Sequence, residues 1–298
     1  MKKLYEKCEL CARKCGVNRL TSYGRCGMMA DMFVSRAAPH FWEEPPISGV
    51  NGSGTIFFDG CSLGCVFCQN REISRGRNGK KVTDDELCNL MLNLQSQGVH
   101  NINLVTPTHF VPSIAEAIKY AKSKGLAIPV VYNTGSYDTT ETIRMLDGLV
   151  DIYLPDFKYI REKTAEEYSY APDYPTVAKA AVAEMVEQVG DCTFDNEGIM
   201  TKGVIVRILL LPGHVAEAKL ALKYLHSTYG DKIYISLMSQ YTPMGDMKSP
   251  LNRRVTADEY NQLVDYAIRI GVTNAFIQEG GAAEESFIPP FSSDKNEL

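Results

Sequence analysis

Short apolar runs and amphipathic segments alternate along the chain from residue 54 onward. The apolar runs have the length and β-branched content of strands, and the segments between them have the length and capping signals of helices. About six or seven strand–helix units result, which is typical of a parallel α/β sheet. Eight units would close a full barrel, so the sequence predicts an α/β fold containing a partial (β/α)6 TIM-type barrel.

Polar side chains follow the predicted strands at the points where those strands end. The carboxyl ends of parallel strands meet at one face of such a barrel, and ligands bind on that face. We therefore expect a binding site there, with ordinary loop polarity as the alternative for individual residues. The polar positions are the cysteine-rich stretch after residue 60, Thr106, Asn133, Asp156, Lys158, His214 and Gln240.

Three cysteines, Cys61, Cys65 and Cys68, lie close together directly after the first predicted strand and define the cysteine loop, residues 61–68. Cysteine thiolates hold iron–sulfur clusters. Three thiolates on one loop can hold three irons of a [4Fe–4S] cluster and leave the fourth iron open to another ligand. Zinc is the chemical alternative, but it would need a fourth ligand from elsewhere in the chain.

The Cys-x3-Cys-x2-Cys spacing, with Phe67 before the last cysteine, resembles the signature of the radical S-adenosylmethionine (SAM) superfamily. In that superfamily the motif follows the first strand of a partial (β/α)6 barrel, and the resemblance covers about residues 54–280. Residues 60–70 (GCSLGCVFCQN) resemble the pyruvate formate-lyase activating enzymes. Residues 40–49 (HFWEEPPISG) and 101–109 (NINLVTPTH) resemble an uncharacterised activating-enzyme-like branch of that group.

The resemblance implies a radical mechanism. The fourth iron of the cluster binds the amino and carboxylate groups of SAM, and one electron cleaves the sulfonium C–S bond to give methionine and a 5′-deoxyadenosyl radical. That radical takes a hydrogen atom from the substrate, while the protein orients the reactants and excludes water. The expected cofactors are SAM and a [4Fe–4S] cluster on the three catalytic cysteines of the loop.

The same resemblance implies further contacts with SAM. Phe67 is expected beside the adenine, and Lys158 matches an Asp-x-Lys pattern of the activating enzymes that helps to bind SAM. The Gly-Gly-Glu turn of the family is replaced here by residues 106–108 (TPT), so the SAM amino group is expected to contact the Thr106 hydroxyl or backbone carbonyls. The expected cofactor-binding residues are Phe67, Thr106, Asn133, Asp156, Lys158 and His214.

Four further cysteines, Cys8, Cys11, Cys15 and Cys26, precede the barrel and form the N-terminal cysteine group. Four thiolates can close a tetrahedral zinc site or hold an auxiliary [4Fe–4S] cluster. In the activating enzymes the auxiliary clusters follow the radical SAM loop rather than precede it. Zinc or another structural metal is therefore favoured as the second metal, with iron–sulfur as the alternative.

The chain is expected to divide into three segments. Residues 1–53 lack the strand–helix periodicity and are interpreted as a cysteine-rich metal-binding module followed by a connection. Residues 54–280 are the predicted radical SAM barrel, and residues 281–298 are a C-terminal tail expected to pack poorly.

Composition and charge limit the classes of function. The net charge is −5 and no long basic run occurs, which argues against a nucleic-acid partner. The first residues lack the apolar core of a signal peptide, and no apolar stretch reaches the ~18 residues of a membrane span. No membrane partner is expected, and the predicted location is the cytoplasm. Nine cysteines in such a chain favour metal or redox chemistry over disulfides.

Three functions are compatible with these features. The favoured one is a glycyl-radical enzyme activase, which takes hydrogen from a backbone glycine of a partner enzyme and receives electrons from flavodoxin or ferredoxin. The second is a radical SAM enzyme that modifies a peptide or small molecule without such a partner. The third, a non-enzymatic metal-binding adaptor, is disfavoured because the complete β/α scaffold carries polar residues at its strand ends.

Overall fold

One mixed sheet of ten strands organises the chain, for which a computed structural model describes residues 2–76 and 78–278. The strands are β1 (Met32–His40), β2 (Ser53–Phe58), β3 (Lys80–Val82), β4 (Ile102–Val105), β5 (Val130–Thr134), β6 (Ile152–Pro155), β7 (Thr193–Phe194), β8 (Met200–Leu209), β9 (Tyr234–Met238) and β10 (Ala275–Ile277). The helices are α1 (Pro45–Ser48), α2 (Arg71–Arg75), α3 (Asp84–Ser96), α4 (Val111–Ser123), α5 (Thr140–Arg144), α6 (Glu162–Ser169), α7 (Tyr174–Val189), α8 (Val215–Tyr229) and α9 (Ala257–Arg269). Short 3-10 turns are Lys2–Tyr5, Thr108–Phe110 and Gly230–Lys232.

The parallel strands follow one another in space nearly in chain order. The order across the sheet is β10-β9-β8-β6-β5-β4-β2-β1-β3, with β7 paired to β8. Each neighbouring pair from β2 to β10 in this order is parallel, and at least one helix lies on the chain between its members. Within the described residues β10 and β3 are opposite ends of the order, so the sheet is not closed. The predicted partial (β/α)6 barrel is confirmed.

The N-terminal part of the chain adds a strand that the sequence pattern did not predict. β1 pairs antiparallel with β2 and with β3, so residues before the predicted boundary at residue 53 belong to the sheet. A bulge between Val34 and Arg36 and a mostly half-buried strand hide the alternation that marks a strand. The three-segment division remains a prediction. The predicted tail, 281–298, lies outside the described residues, as do residues 279 and 280.

Helix α3 begins at a capping box. The Glu86 N–H donates to Thr83 Oγ1 at 3.2 Å, and the Thr83 N–H donates to Glu86 Oε2 at 2.7 Å, which together form a capping box at the start of α3. Two N–H groups that the helix itself leaves free are thereby satisfied. Among the described helices, none combines the length and the apolar content that crossing a membrane requires.

The short helix α1 fills the lower end of the barrel interior, where the parallel strands begin. Ile47 of α1 packs against Val131, Ile152, Leu154 and Ile205, which point into the barrel from β5, β6 and β8. Because successive strand residues alternate between faces, residues two positions further along point inward as well. These next inward positions are polar or charged: Asn133, Asp156 and Arg207. An apolar plug thus lies beneath a charged layer, and the charged layer lies beneath the strand ends.

Substitution of Glu259 should weaken the start of α9 in a pH-dependent way. Glu259 caps the N-terminus with Thr256, accepts the Gly213 N–H at 2.7 Å and pairs with Arg253 at 2.7 Å. Hydrogen bonds from Arg253 lower the pKa of Glu259 from 4.5 to about 2, against a smaller opposing effect of burial. Glu259→Gln should therefore lower the free energy of unfolding near neutral pH by about 1 kcal/mol.

The stabilisation by Glu259 is complete above its ordinary pKa of 4.5 and is lost as the pH falls towards about 2. The difference between wild type and Glu259→Gln in urea unfolding should shrink over that interval. Glu116→Gln, which removes an exposed partner of Lys119 at 3.1 Å, is the matched control and should change little. A pH-independent difference for Glu259→Gln would contradict this assignment.

Candidate active site

The cysteine loop leaves the end of β2 and turns back tightly. Gly60 has a φ angle of 85° and Gly64 one of 66°, a region that favours glycine. A Cβ on Gly60 would lie 2.3 Å from Met28 Cγ and 2.9 Å from the Cys26 carbonyl oxygen, so a larger residue does not fit. The Cys61 N–H donates to the same Cys26 oxygen at 3.2 Å. The N-terminal cysteine group therefore packs directly on the cysteine loop.

The three thiols of the loop have the surroundings of iron–sulfur ligands. Burial raises the pKa of Cys61 to about 12, and the neighbouring Cys65 and Cys68 act in the same direction. Ser169 Oγ donates to Cys65 Sγ at 3.0 Å, and the Leu63 N–H donates to Cys61 Sγ at 3.4 Å. Hydrogen bonds to the sulfurs are one of the means by which proteins tune bound clusters.

The number of thiols on the loop suits a cluster. Three thiols within eight residues match three protein ligands of a [4Fe–4S] cluster, each thiolate on a different iron, whereas a zinc ion would need a fourth ligand from elsewhere in the chain. In the described part of the chain, neither the cysteine loop nor the N-terminal cysteine group brings three His, Cys, Asp or Glu side chains together around one point.

A cavity of about 790 Å³ lies against the cysteine loop, within the usual size range of ligand sites. It brings together most of the residues predicted from the sequence. It also contains residues that the sequence reasoning missed, notably Glu43 and Glu44 from the segment after β1 and Arg207 from β8. The predicted residues on its wall are Cys61, Cys65, Phe67, Cys68, Thr106, Asn133, Asp156 and Lys158.

His214 is the predicted site residue that lies apart. It precedes α8, as predicted, but it is not among the described residues that line the cavity. Its Nδ1 contacts the Pro212 carbonyl oxygen at 2.8 Å, and its Nε2 contacts the Tyr168 hydroxyl at 3.2 Å. This geometry is that of a loop-stabilising histidine, so the predicted contact with SAM is left without structural support.

Phe67 is held in a rigid aromatic cluster beside the thiols. Its ring is 7% exposed and makes edge-to-face contacts with Tyr159, Tyr168 and Tyr241 at centroid separations of 6.4, 6.3 and 6.0 Å. Such contacts fix the ring orientation beyond what apolar burial alone provides. Phe67 therefore presents a preorganised apolar surface within the cysteine loop, directly before Cys68.

Thr106 adopts a strained backbone at the end of β4. Its φ angle of 57° is unusual for any residue other than glycine. The Thr106 N–H donates to the Asn133 carbonyl oxygen at 2.9 Å, which ties this turn to the end of β5. Strain of this kind costs on the order of 1–3 kcal/mol and is commonly found at functional sites.

Charged side chains inside the barrel form one connected group, the interior charge network of Glu43, Asn133, Asp156, Lys158 and Arg207. Arg207 lies at its centre: Nε donates to Asp156 Oδ1 at 2.8 Å, Nη2 to Asn133 Oδ1 at 2.5 Å and Nη1 to Glu43 Oε2 at 3.2 Å. Lys158 Nζ donates to the second oxygen of Asp156 at 2.6 Å. One guanidinium thus connects β5, β6, β8 and the segment after β1.

The network keeps its cations charged beside the thiols. Burial alone would raise the pKa of Asp156, but the charges of Arg207 and Lys158 outweigh it and lower that pKa. Burial opposes the charge of Lys158, yet Asp156 and then Cys65 raise the pKa of Lys158 above its ordinary value. A lysine that stays protonated near Cys65 offsets part of the negative charge that thiolates bring to the loop.

The sequence carries one weak signal for each of Arg207 and Glu43 as a residue of the site. Arg207 interrupts the apolar stretch 204–209 of β8 at an inward position, where a charge needs a buried partner. Glu43 lies in a stretch rich in proline and aromatic residues, which the sequence reasoning assigned only to a connection. Their contact joins residues 164 positions apart, so neither local pattern identifies its partner.

The N-terminal cysteine group reaches the cysteine loop through Arg13. Arg13 Nε donates to the Ser62 carbonyl oxygen at 3.0 Å, and Nη2 donates to the Leu63 and Ser169 carbonyl oxygens at 3.2 and 2.7 Å. Its Nη1 also donates to the Tyr170 carbonyl oxygen. Arg13 thereby fixes the backbone of the cysteine loop and the end of α6, whose Ser169 bonds Cys65.

The four cysteines of the N-terminal group lie close enough to influence one another. Cys8, Cys11 and Cys26 are buried, and Cys15 is half-buried. Burial raises the pKa of Cys11 to about 12, opposed by a backbone hydrogen bond from Arg13 and assisted by Cys26 and Cys8. The group therefore consists of three buried thiols and one half-buried thiol, which a metal or a nearby cation would stabilise as thiolates.

Removal of Arg207 should strongly destabilise the barrel. Arg207→Leu leaves Asp156 and Glu43 buried without their shared cation, and loss of one partner of a buried ion pair costs about 3–5 kcal/mol. Urea unfolding measures this loss. The double variant with Glu43→Gln should recover part of it, because one stranded carboxylate is removed.

Arg144→Leu is the matched control for this experiment. Arg144 pairs with Glu184 at 3.0 Å, but its side chain is 63% exposed, and exposed pairs contribute less than about 1 kcal/mol. Equal losses for Arg207→Leu and Arg144→Leu would contradict a central role for the interior charge network.

Comparisons with known proteins place this site in a family. The family model described as the Radical SAM superfamily matches residues 55–225. An uncharacterized protein of Methanocaldococcus jannaschii is 29% identical over 277 residues, which cover 89% of this chain and 75% of that relative.

Solved structures share the fold at low sequence identity. A radical SAM methyltransferase from Sphaerobacter thermophilus is 15% identical with a TM-score of 0.52, over 75% of this chain and 66% of that one. Streptococcus suis SuiB bound to its precursor peptide SuiA is 14% identical with a TM-score of 0.53, over 74% of this chain and 47% of that one. The chain thus spans about half to two thirds of the length of these structures. The matched family model spans the cysteine loop and most of the barrel, and this chain belongs to the radical SAM superfamily.

Proposed function

We propose that this radical SAM enzyme abstracts a hydrogen atom from a polypeptide partner and acts as a glycyl-radical enzyme activase. The observation that carries the proposal is the position of the cysteine loop on the wall of a cavity that β10 borders. β10 is an edge strand of the described sheet, so the barrel is open beyond it. An open side would admit a loop of a partner protein to the cavity.

Each residue of the cavity has a proposed role. Cys61, Cys65 and Cys68 would hold the [4Fe–4S] cluster. The cluster would supply the electron that cleaves the sulfonium C–S bond of SAM and so gives the 5′-deoxyadenosyl radical. Phe67 would pack against the adenine, and Lys158 would bind SAM while it offsets the charge of the thiolates.

Three further residues of the predicted set complete the proposal. Asn133 and Asp156 would orient SAM through the interior charge network, and the Thr106 turn would receive the SAM amino group. The aromatic cluster around Phe67 would exclude water from the reacting atoms.

A second candidate function is supported by the solved neighbours. SuiB was solved with a precursor peptide, and a protein called anSMEcpe, 12% identical with a TM-score of 0.51, was solved with AdoMet and a peptide. Modification of a peptide or small molecule without a glycyl-radical partner is therefore the alternative proposal. Membership in an enzyme superfamily argues against the non-enzymatic adaptor considered from the sequence.

The proposal also includes a second metal, an electron donor and a cellular compartment. The N-terminal cysteine group would hold a second metal, zinc or iron–sulfur, supported by four thiols of which three are buried. Flavodoxin or ferredoxin would deliver electrons. All nine cysteines are free in the described structure, which supports a reducing compartment such as the cytoplasm.

Loss of one loop cysteine should remove the cluster. After anaerobic reconstitution with iron and sulfide, Cys65→Ala should lose the iron and visible absorbance of the loop cluster, because two protein ligands do not retain it. Cys192→Ala is the control, since Cys192 lies away from the cavity wall, and it should bind iron as wild type does. Equal iron binding by both variants would contradict the assignment of the loop.

Turnover distinguishes the proposed functions. Wild-type protein with SAM and dithionite should release 5′-deoxyadenosine and methionine under anaerobic conditions, and Cys65→Ala should release neither. With a glycyl-radical enzyme as partner, electron paramagnetic resonance should show a radical on that partner. Cleavage of SAM without a radical on any such partner would favour modification of a peptide or small molecule. Absence of SAM cleavage by cluster-loaded wild type would contradict both proposed functions.

A further inference from the structure

The segment after β1 brings two acidic residues to the cavity, and the function proposed above uses neither of them directly. Glu43 and Glu44 belong to the stretch 40–49 (HFWEEPPISG), and both line the cavity wall. They enter the barrel from its lower end together with α1, whereas the cysteine loop follows the upper end of β2. The cavity thus has an acidic end that is separate from the cysteine loop.

The two carboxylates differ in their partners. Glu43 is bound on both oxygens, by Asn103 Nδ2 at 3.0 Å and by Arg207 Nη1 at 3.2 Å. Glu44 is 7% exposed, and its Oε2 has no hydrogen-bond partner in the described structure. Its side chain does not cap α1, since only its backbone oxygen accepts the Ile47 N–H, at 2.8 Å.

Charge at this end of the cavity is not balanced. Within the described wall, the carboxylates are Glu43, Glu44 and Asp156, and the strong cations are Lys158 and Arg207. Asp156 and Glu43 already engage both cations through direct ion pairs. Burial raises the pKa of Glu44, while the charge of Arg207 lowers it and the charge of Glu43 raises it again. One buried acidic oxygen therefore lacks a donor.

A buried carboxylate without a donor is unfavourable, and a ligand that brings a charged N–H donor removes both the unpaired acceptor and the charge surplus. We propose that Glu44 binds a cationic nitrogen group of the substrate, an ammonium or a guanidinium, and so determines which substrates are accepted. The inference rests on the proposed function, because it assigns a substrate class to the same cavity.

The position of Glu44 assigns this contact to the substrate rather than to SAM. Glu44 shares the cavity wall with Ser236 of β9 and Arg207 of β8. In the function proposed above, the residues that contact SAM are Phe67, Thr106, Asn133, Asp156 and Lys158, and Glu44 is not among them. A cationic group bound at Glu44 is therefore assigned to the substrate.

A matched pair of peptides tests the proposal by binding. Reconstituted protein with SAM is titrated anaerobically, in a calorimeter, with acetyl-glycyl-lysyl-glycine amide and with its norleucine analogue, which lacks the ammonium. Wild type should bind the lysyl peptide at least about tenfold more tightly, as a charge-assisted hydrogen bond provides. The emission of Trp42, the single tryptophan of the chain and a residue of the cavity wall, reports binding within the cavity.

Variants locate the preference at Glu44. Glu44→Gln should lose the preference for the lysyl peptide. Glu44→Asp, which keeps the charge, should retain part of that preference, and it replaces Glu44→Gln in the test if Glu44→Gln does not fold. Glu116→Gln, an exposed position on α4, should keep the full preference. Equal binding of both peptides to wild type, or an intact preference in Glu44→Gln, would overturn the proposal.

Two further measurements complete the test. The first asks whether the cationic group belongs to a small amine or to a polypeptide, and the second separates this inference from the proposed function. If n-butylammonium binds as tightly as the lysyl peptide, the substrate is a small amine. If it binds more weakly, the substrate is a polypeptide with a basic side chain. Both results support binding of a cationic group at Glu44. Release of 5′-deoxyadenosine is measured on the same wild-type sample. Turnover without a lysyl preference fails only the present inference, and a lysyl preference without turnover fails only the proposed function.

Discussion

The guanidinium of Arg207 is the interaction on which the barrel interior depends. It is buried and shared by Asp156, Asn133 and Glu43, which come from β6, β5 and the segment after β1. A lone buried charge would be very unfavourable, so these groups stabilise one another only as a set. Their arrangement separates the apolar plug of α1 from the open cavity above, and it keeps polar groups at the base of the site where a purely apolar barrel would have filled the space.

The framework of the molecule was predictable from local sequence. Strand–helix alternation indicated the partial barrel, and a threonine three residues before a glutamate, as at Thr83 and Glu86, is a signal for the start of a helix, because periodicity and capping are encoded within a few residues. The cysteine loop was predictable for the same reason: its three ligands lie within eight residues, and their spacing carries the chemistry. Asp156 and Lys158 followed from the rule that strand ends converge.

The remainder of the site depends on contacts between distant parts of the chain. β1 escaped prediction because its bulge and half-buried residues show no alternation. The inward direction of Glu43 depends on where α1 enters the barrel, which no local pattern specifies. His214 shows the converse: it follows a strand end, as a site residue should, but its ring is bound by Tyr168 and Pro212. Position after a strand is therefore informative, while side-chain direction depends on packing.

The contacts of Arg13 have a consequence for the shape of the cysteine loop. Two of the carbonyl groups that Arg13 binds, at Ser62 and Leu63, belong to the backbone that presents the three thiols, and a third, at Ser169, belongs to the residue whose hydroxyl bonds Cys65. The shape of the cysteine loop therefore depends on the packing of the first residues of the chain against it. Oxidation or alkylation of the N-terminal thiols that displaces Arg13 would therefore disturb the backbone of the cysteine loop, although none of its three thiols is modified.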